Sequence, residues 1–332
     1  LNLSKRNVQI KEYLQRWADN YELPYYFKPE PEQVLIVGSG TGNDVAAAIR
    51  QGAGKIDAVE IDPVILAFGK SLHPESPYQS DKVNAIVNDA RAFIRHTNKR
   101  YDLIVYGLLD SHTLLSGKSG VRLDSFVYTV EAFREARAKL KEDGVLSISF
   151  SLIRLELGRK LYLMLQEAFD GQSPVVYQTG YDGGYTFLIG EELTKRSLNL
   201  PSKFREATAE MANDEIRADK STDDWPFFYM PVRKYPASYI VMILVLLAIS
   251  LVFIFQFVPG ARGNFSMSCF FLGAGFMLIE TKGITELALV YGSTWIVVSA
   301  VVTAILIMSF LANWLVVKIG APRPWITYGL LF

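Results

Sequence analysis

Three clusters of residues in this chain have the types and the spacing to hold a nucleoside. The first is Gly38-Ser39-Gly40-Thr41-Gly42, directly after the apolar run Gln33–Val37 and directly before the Ala-rich stretch Asp44–Gln51. Glycines between a strand and a helix let the backbone turn tightly and approach a ligand closely. Gly38, Ser39, Gly40, Gly42 and Asp44 are therefore candidate binding residues. A glycine triplet alone is a weak signal, because many turns contain glycine, but its context strengthens it. Glu60 follows about 20 residues on, near the end of the run Lys55–Ile61, where an acidic side chain accepts hydrogen bonds from ribose hydroxyls. Glu60 and Ile61 join the set. Asn88-Asp89-Ala90 closes a third run, Lys82–Val87, and places a carboxylate where it reaches an adenine amino group. Asp89 and Ala90 complete the candidates. The alternative is that Glu60 and Asp89 only cap helices.

These residues need a scaffold, and the periodicity supplies one. Pro63–Ser71 reads as a helix with Pro at its first position, Ala90–His96 as a short helix, and Tyr101–Tyr106 as a fourth strand. Val130–Leu140 has apolar positions at helical spacing, Gly144–Ser151 reads as a fifth strand, and Arg154–Phe169 as a helix. Val175–Thr179 and Tyr185–Ile189 flank a Gly-rich turn and form a closing hairpin. Strands alternating with helices make parallel βαβ units. The expected fold is α/β, a Rossmann-like domain of the seven-stranded methyltransferase type over residues 31–192, after an N-terminal helical extension over 1–30. In such sheets ligands bind at the carboxyl ends of the strands, and all three clusters fall there.

Charge divides the chain. Lys+Arg and Asp+Glu balance at 34 each, which gives no sign of a nucleic-acid partner. From Tyr235 onward the charged residues are only Arg262, Glu280, Lys282, Glu286, Lys318 and Arg323. Ser238–Phe257 and Trp295–Val317 are uncharged runs long enough to span a bilayer. Residues 235–332 are therefore expected to be transmembrane helices, with a lipid bilayer as a partner, joined to the first domain by a linker over 193–234. Glu280, Lys282 and Glu286 form either a polar path or a shallow kink, with Lys282 and Glu286 paired at i,i+4. Asp223-Asp-Trp-Pro-Phe-Phe-Tyr229 reads first as an interfacial anchor and second as a lid. The single cysteine, Cys269, excludes an internal disulfide and a cysteine zinc site, and three scattered histidines give no metal site. The chain starts at Leu1 and stops within an apolar run, so it is expected to be a piece of a longer membrane protein.

Gly38–Asn43, Val59–Pro63, Asn88–Phe93 and Tyr101–Tyr106 resemble the ligand-binding motifs of the spermidine synthase group, a branch of the S-adenosylmethionine-dependent methyltransferase superfamily. Asp223–Tyr229 and Phe271–Glu280 resemble the membrane-integrated spermidine synthase-like proteins of bacteria. The resemblance implies S-adenosylmethionine or its decarboxylated form as ligand, with Glu60 on the ribose and Asp89 on the adenine. It implies transfer of a methyl or aminopropyl group to a small-molecule acceptor such as an amine. It also implies a bacterial inner-membrane protein with its Rossmann domain in the cytoplasm, where the ligand is made. One departure matters. The group carries an Asp just after the fourth strand that deprotonates the amine, and Gly107 stands there. Asp110 and His112 are the substitute catalytic candidates, while Asp110, Ser111 and Tyr128 are the substrate candidates. A non-catalytic adenosyl-ligand sensor coupled to a membrane transport segment is the rival reading, and Gly107 favours it.

Overall fold

The computed structural model describes residues 19–109, 126–152, 154–179, 184–191, 193, 200–201, 203–235, 237–258, 267–292 and 294–320. The chain forms two compact units, Leu1–Lys234 and Tyr235–Phe332.

The first unit is built on strands β1 (Gln33–Val37), β2 (Lys55–Glu60), β3 (Val83–Val87), β4 (Tyr101–Tyr106), β5 (Leu140–Ser151), β6 (Val175–Gln178), β7 (Gly184–Ile189) and β8 (Arg205–Glu206). Their order is β3-β2-β1-β4-β5-β7-β6-β8. β1 to β5 are parallel, and β7 inserts antiparallel between β5 and β6. Apart from the two-residue β8, this is the methyltransferase-type Rossmann sheet. Helix α1 (residues 19–27) precedes β1. Next come α2 (Asn43–Arg50), α3 (Pro63–Leu72), α4 (Ala90–His96), α5 (Val130–Arg137) and α6 (Leu155–Ala168), then the single turn α7 (Thr208–Met211).

Alternation along the strands splits the core in two. Leu35, Val37, Ile104 and Tyr106 point to the face covered by Phe133 of α5 and Leu161 of α6. Val34, Ile36, Leu103 and Val105 point to the other, where α1 contributes Leu23, Tyr25 and Phe27 and α2 contributes Val45 and Ala48. All six residues of β4 are buried, as a central parallel strand requires. The strand order reverses between β1 and β4, so the crevice at their carboxyl ends is the topological switch point.

The stretch expected to be a linker is different from that expectation. Its described part, from Lys203, packs on the first unit: β8 pairs with β6, and Trp225 and Phe228 are buried. Aromatic side chains of that size gain by leaving water, and the sheet face offers them a cluster of rings. Within the N-terminal extension, the described helical turns are at 19–27.

The second unit has three described helices, α8 (Ala237–Phe257), α9 (Met267–Tyr291) and α10 (Trp295–Ile319). Ala237–Phe257 and Trp295–Lys318, with mean hydropathies of 3.0 and 2.5, are long and apolar enough to cross a membrane. α9 and α10 pack through Val297, Val301 and Ile305, spaced four apart on one face. A Cβ at Gly283 of α9 would lie 3.6 Å from Val301. Glu280 is partly buried, whereas its neighbours Leu278 and Ile279 are exposed. Lys282 and Glu286 form the expected i,i+4 pair at 2.5 Å.

Candidate functional site

The crevice starts with the turn after β1. Gly38, Gly40 and Gly42 have φ of 68°, 54° and 108°, a region that favours glycine. The turn is pinned from both sides. The backbone N–H groups of Gly38 and Ser39 donate to Val59 O at 2.9 Å each. The Tyr78 hydroxyl reaches Gly40 O at 2.8 Å, Ser39 O at 3.1 Å and Ser39 Oγ at 3.0 Å. Burial pushes the Tyr78 phenol up to about 12, so it stays a neutral donor.

Glu60 ends β2 and is 7 % exposed. Its Oε2 accepts from Gly40 N–H at 2.8 Å and its Oε1 from Asp62 N–H at 2.9 Å. Each carboxylate oxygen has a second lone pair, so both retain capacity for a hydroxyl. Glu60 therefore ties the glycine turn to the start of α3 and still fits a ribose diol. Asp62, beyond Ile61, caps α3 by accepting from Val64 and Ile65 N–H. Asp89 is buried at the end of β3, and its Oδ1 accepts from Ala92 N–H at 2.9 Å, capping α4. Capping and ligand binding are thus compatible at both acids. The glycine turn, Glu60 and Asp89 lie at the ends of neighbouring strands β1, β2 and β3, an arrangement that suits a nucleoside laid across them.

β4 contributes the opposite wall. Its end, Gly107, donates its N–H to Val37 O at 3.3 Å. A Cβ built at Gly107 would lie 2.7 Å from Asp44 Oδ2. Asp44 sits in the first turn of α2, partly buried, and burial lifts its carboxyl to about 7. A hydrogen bond from its own backbone N–H offsets only part of that rise. The Leu109 side chain lies against Gly38, so a Cβ there would collide with it.

Asp110, Ser111 and His112 lie outside the described residues, as does Asp124. Tyr128 is described, and it corrects the expectation of a pocket-lining residue. Tyr128 is fully buried, stacked on Phe228 at 4.9 Å and edge-on to Phe150 at 5.6 Å. Its ring completes an aromatic cluster rather than a substrate surface. The helix N-cap in this region is Thr129, whose Oγ1 accepts from Ala132 N–H.

The sequence pattern did not reveal the support behind Asp89. Arg91, two residues on, is 4 % exposed. It makes a two-point contact with Asp223, at 2.6 and 2.8 Å, and another with Glu135, at 3.1 Å each. Thr129 Oγ1 also donates to Asp223 Oδ1 at 2.8 Å. Asp223–Tyr229 therefore forms a brace that joins α4 to α5. Lys160 of α6 secures its far end by donating to Phe227 O at 2.9 Å and Met230 O at 2.8 Å. Burial lowers the Lys160 ammonium to about 8.

A cleft of about 530 Å³ lined by Arg100, Arg134, Arg137 and Lys141 lies at the opposite, amino-terminal end of β4 and β5. Arg134, Arg137 and Lys141 pair there with Glu167, Asp170, Glu191 and Asp102, and Arg100 donates to the Ala138 and Leu140 carbonyls.

Residues 21–169 match the spermine/spermidine synthase domain. The chain is 28 % identical over 175 residues to a polyamine aminopropyltransferase of Sulfolobus acidocaldarius, covering 50 % of this chain and 55 % of that protein. It is 24 % identical over 212 residues to a polyamine aminopropyltransferase of Korarchaeum cryptofilum, covering 62 % and 60 %. The chain thus spans little more than half the length of these relatives. Among solved structures, it is similar to a spermidine synthase in complex with the transition-state analogue AdoDATO, with TM-score 0.44 and 18 % identity, covering 59 % of this chain and 71 % of that one. It is also similar to human methyltransferase-like protein 13 in complex with SAH, with TM-score 0.40 and 16 % identity, covering 70 % and 97 %. Over residues 21–169 the chain is similar to the spermine/spermidine synthase domain, and these curated relatives are named as transferases.

Proposed function

We propose that a spermidine synthase-like domain, in this chain, transfers an aminopropyl group from decarboxylated S-adenosylmethionine to a small amine, next to helices that anchor it in a membrane. The observation that supports this reading best is the buried pair Glu60 and Asp89 at the ends of adjacent strands β2 and β3, with Glu60 joined to the glycine turn through Gly40 N–H. The names of the curated relatives favour aminopropyl over methyl transfer.

When bound, the donor supplies a sulfonium that already activates the adjacent carbon. The protein's task is then largely positioning. Glu60 accepts the ribose hydroxyls, Asp89 accepts the adenine amino group, and the glycine turn lets the donor's chain lie against the backbone. Ile61 and Ala90 flank the two acids, and Ser39 is held by Tyr78 so that the turn keeps its shape. Asp110, Ser111 and His112 remain candidates on the acceptor side. α8 and α10 support a multi-pass bacterial inner-membrane protein with the sheet domain in the cytoplasm, because the adenosyl ligand is made there. Glu280, partly buried on α9, belongs to a helix-packed rather than a lipid-facing position in this reading.

The deciding experiment uses the full chain in detergent. Calorimetry compares S-adenosylmethionine with its decarboxylated form, and release of methylthioadenosine is followed with a panel of diamines. Preferential binding of the decarboxylated form with amine-dependent release is the expected result. Tight binding with no release across the panel, and no methyl transfer from S-adenosylmethionine, would replace this reading with the ligand-sensor one that Gly107 favours.

A further inference from the structure

At the end of β4 the chain has no side chain where the resemblance expects a proton acceptor, yet a carboxylate fills part of that space. It arrives from the facing wall. Asp44 Oδ2 stands 2.7 Å from the position of a Gly107 Cβ, and Asp44 Cγ stands 3.4 Å from it. A side chain at 107 would press on the end of the Asp44 carboxyl group, which would have to turn aside. The Asp44 carboxylate therefore occupies the volume into which a residue 107 side chain would start.

Asp44 also lacks the partners that a structural acid has. Among the described residues no Lys, Arg or His forms an ion pair with it. The groups that face it are phenols and another acid. Tyr25 of α1 is 4 % exposed, and its hydroxyl has no hydrogen-bond partner among the described residues. Burial first, and the Asp44 charge second, raise the Tyr25 phenol, against a smaller opposing effect from Arg50. Tyr78 faces the same charge, together with that of Glu60. A half-buried carboxylate and a buried hydroxyl, with no ion-paired cation among the described residues, match an ammonium group: it brings a positive charge and donates to both oxygens.

We propose that Asp44 holds the attacking nitrogen of the amine acceptor in the space left open by Gly107 and accepts its proton, with the Tyr25 hydroxyl as a second contact. This rests on the transferase reading above. The acceptor ammonium gives one proton to the Asp44 carboxylate. The freed lone pair forms a C–N bond to the donor carbon next to the sulfonium. The C–S bond breaks, its electron pair stays on sulfur as a neutral thioether, and the positive charge passes to the new secondary ammonium. Asp44 then releases its proton to solvent. A carboxyl that titrates near neutrality suits both the uptake and the release.

The test compares the wild-type chain with Asp44→Asn, Gly107→Asp and the double variant D44A/G107D, all full length in detergent. One readout needs no turnover: calorimetry of a diamine against protein loaded with methylthioadenosine, at pH 6 and pH 8. The other is the pH profile of methylthioadenosine release from the decarboxylated donor. The wild type binds diamine more tightly at pH 8. D44N weakens the diamine by about 10- to 100-fold, the size of a lost charged hydrogen bond, and loses this pH dependence. Its transfer rate falls by roughly 10²- to 10⁴-fold, as for a lost general base. Gly107→Asp alone is impaired by crowding and like charge, whereas D44A/G107D regains diamine affinity because the shortened residue 44 vacates the volume to which a carboxylate returns. Wild-type diamine affinity in D44N overturns the proposal and leaves the transferase reading standing. So does an effect of D44N confined to the adenosyl ligand, which would make Asp44 a donor contact. A wild-type chain that binds no adenosyl ligand rejects the transferase reading, and the proposal with it.

Discussion

Glu60 has two tasks at once, and its removal separates them. Its carboxylate holds two backbone N–H groups and retains lone pairs for a ligand. Glu60→Ala is expected to weaken adenosyl-ligand binding by roughly 10- to 100-fold in calorimetry. An unchanged affinity in a folded variant would place the ribose elsewhere. Asp44 makes a second, opposite prediction about stability. Its folded-state value near 7 lies above the ordinary 3.8, so between those pH values the folded chain binds more protons than the unfolded one. Stability from this group is fully present below about pH 4 and is lost as pH rises through about 7. Asp44→Asn should therefore raise thermal stability at pH 8, by on the order of 1–3 kcal/mol, and change little at pH 4. Equal melting shifts at both pH values would show that burial does not strain this acid. Glu60 and Asp89 were legible in the sequence because each ends an apolar run, a purely local signal. The meeting of Asp44 with Gly107 was not, since it depends on β1 and β4 becoming neighbours. Tyr128 misled for a related reason: its fate is set by Phe228, far along the chain.

Among the elements, the parallel strands and their helices followed closely from periodicity, because central strands read as unbroken apolar runs. β5 is the exception. Its pattern begins at Gly144, but the strand starts at Leu140. Lys141 there pairs with Asp102 of β4 at 2.9 Å, and that cross-strand partner hides a strand residue behind a polar sequence. The same logic concealed the brace formed by Asp223–Tyr229, whose partner Arg91 lies in α4. Removing Asp223 leaves a nearly inaccessible guanidinium with one ion-paired carboxylate, Glu135, among the described residues, beside the Phe126 carbonyl and the Thr129 hydroxyl. Asp223→Ala should cost about 2–4 kcal/mol and lower the melting temperature sharply. Its exposed neighbour is the control: Asp224→Ala should stay within about 0.5 kcal/mol. Similar losses in both variants would contradict the brace.

At the scale of the molecule, two units follow one another along the chain, and the boundary at Lys234 lies after the brace rather than before it. The composition announced the split, since charge nearly vanishes beyond Tyr235, but it did not reveal that the aromatic motif next to the boundary packs within the first unit. Residues 1–234 expressed alone should unfold in one cooperative transition by circular dichroism, whereas ending the chain at residue 220 should abolish it. A folded, cooperative 1–220 fragment would show the brace to be dispensable. The brace also has a mechanical consequence. The chain runs from Lys234 almost directly into α8 at Ala237. Just upstream, Arg233 N–H donates to Asp219, Lys160 grips the carbonyls of Phe227 and Met230, and Asp223 grips Arg91. A tug on α8 along the chain therefore travels first to α6 and then to α4, the helix capped by Asp89. Tension would reach the crevice at its Asp89 end, while the glycine turn, pinned separately by Val59 and Tyr78, would keep its shape.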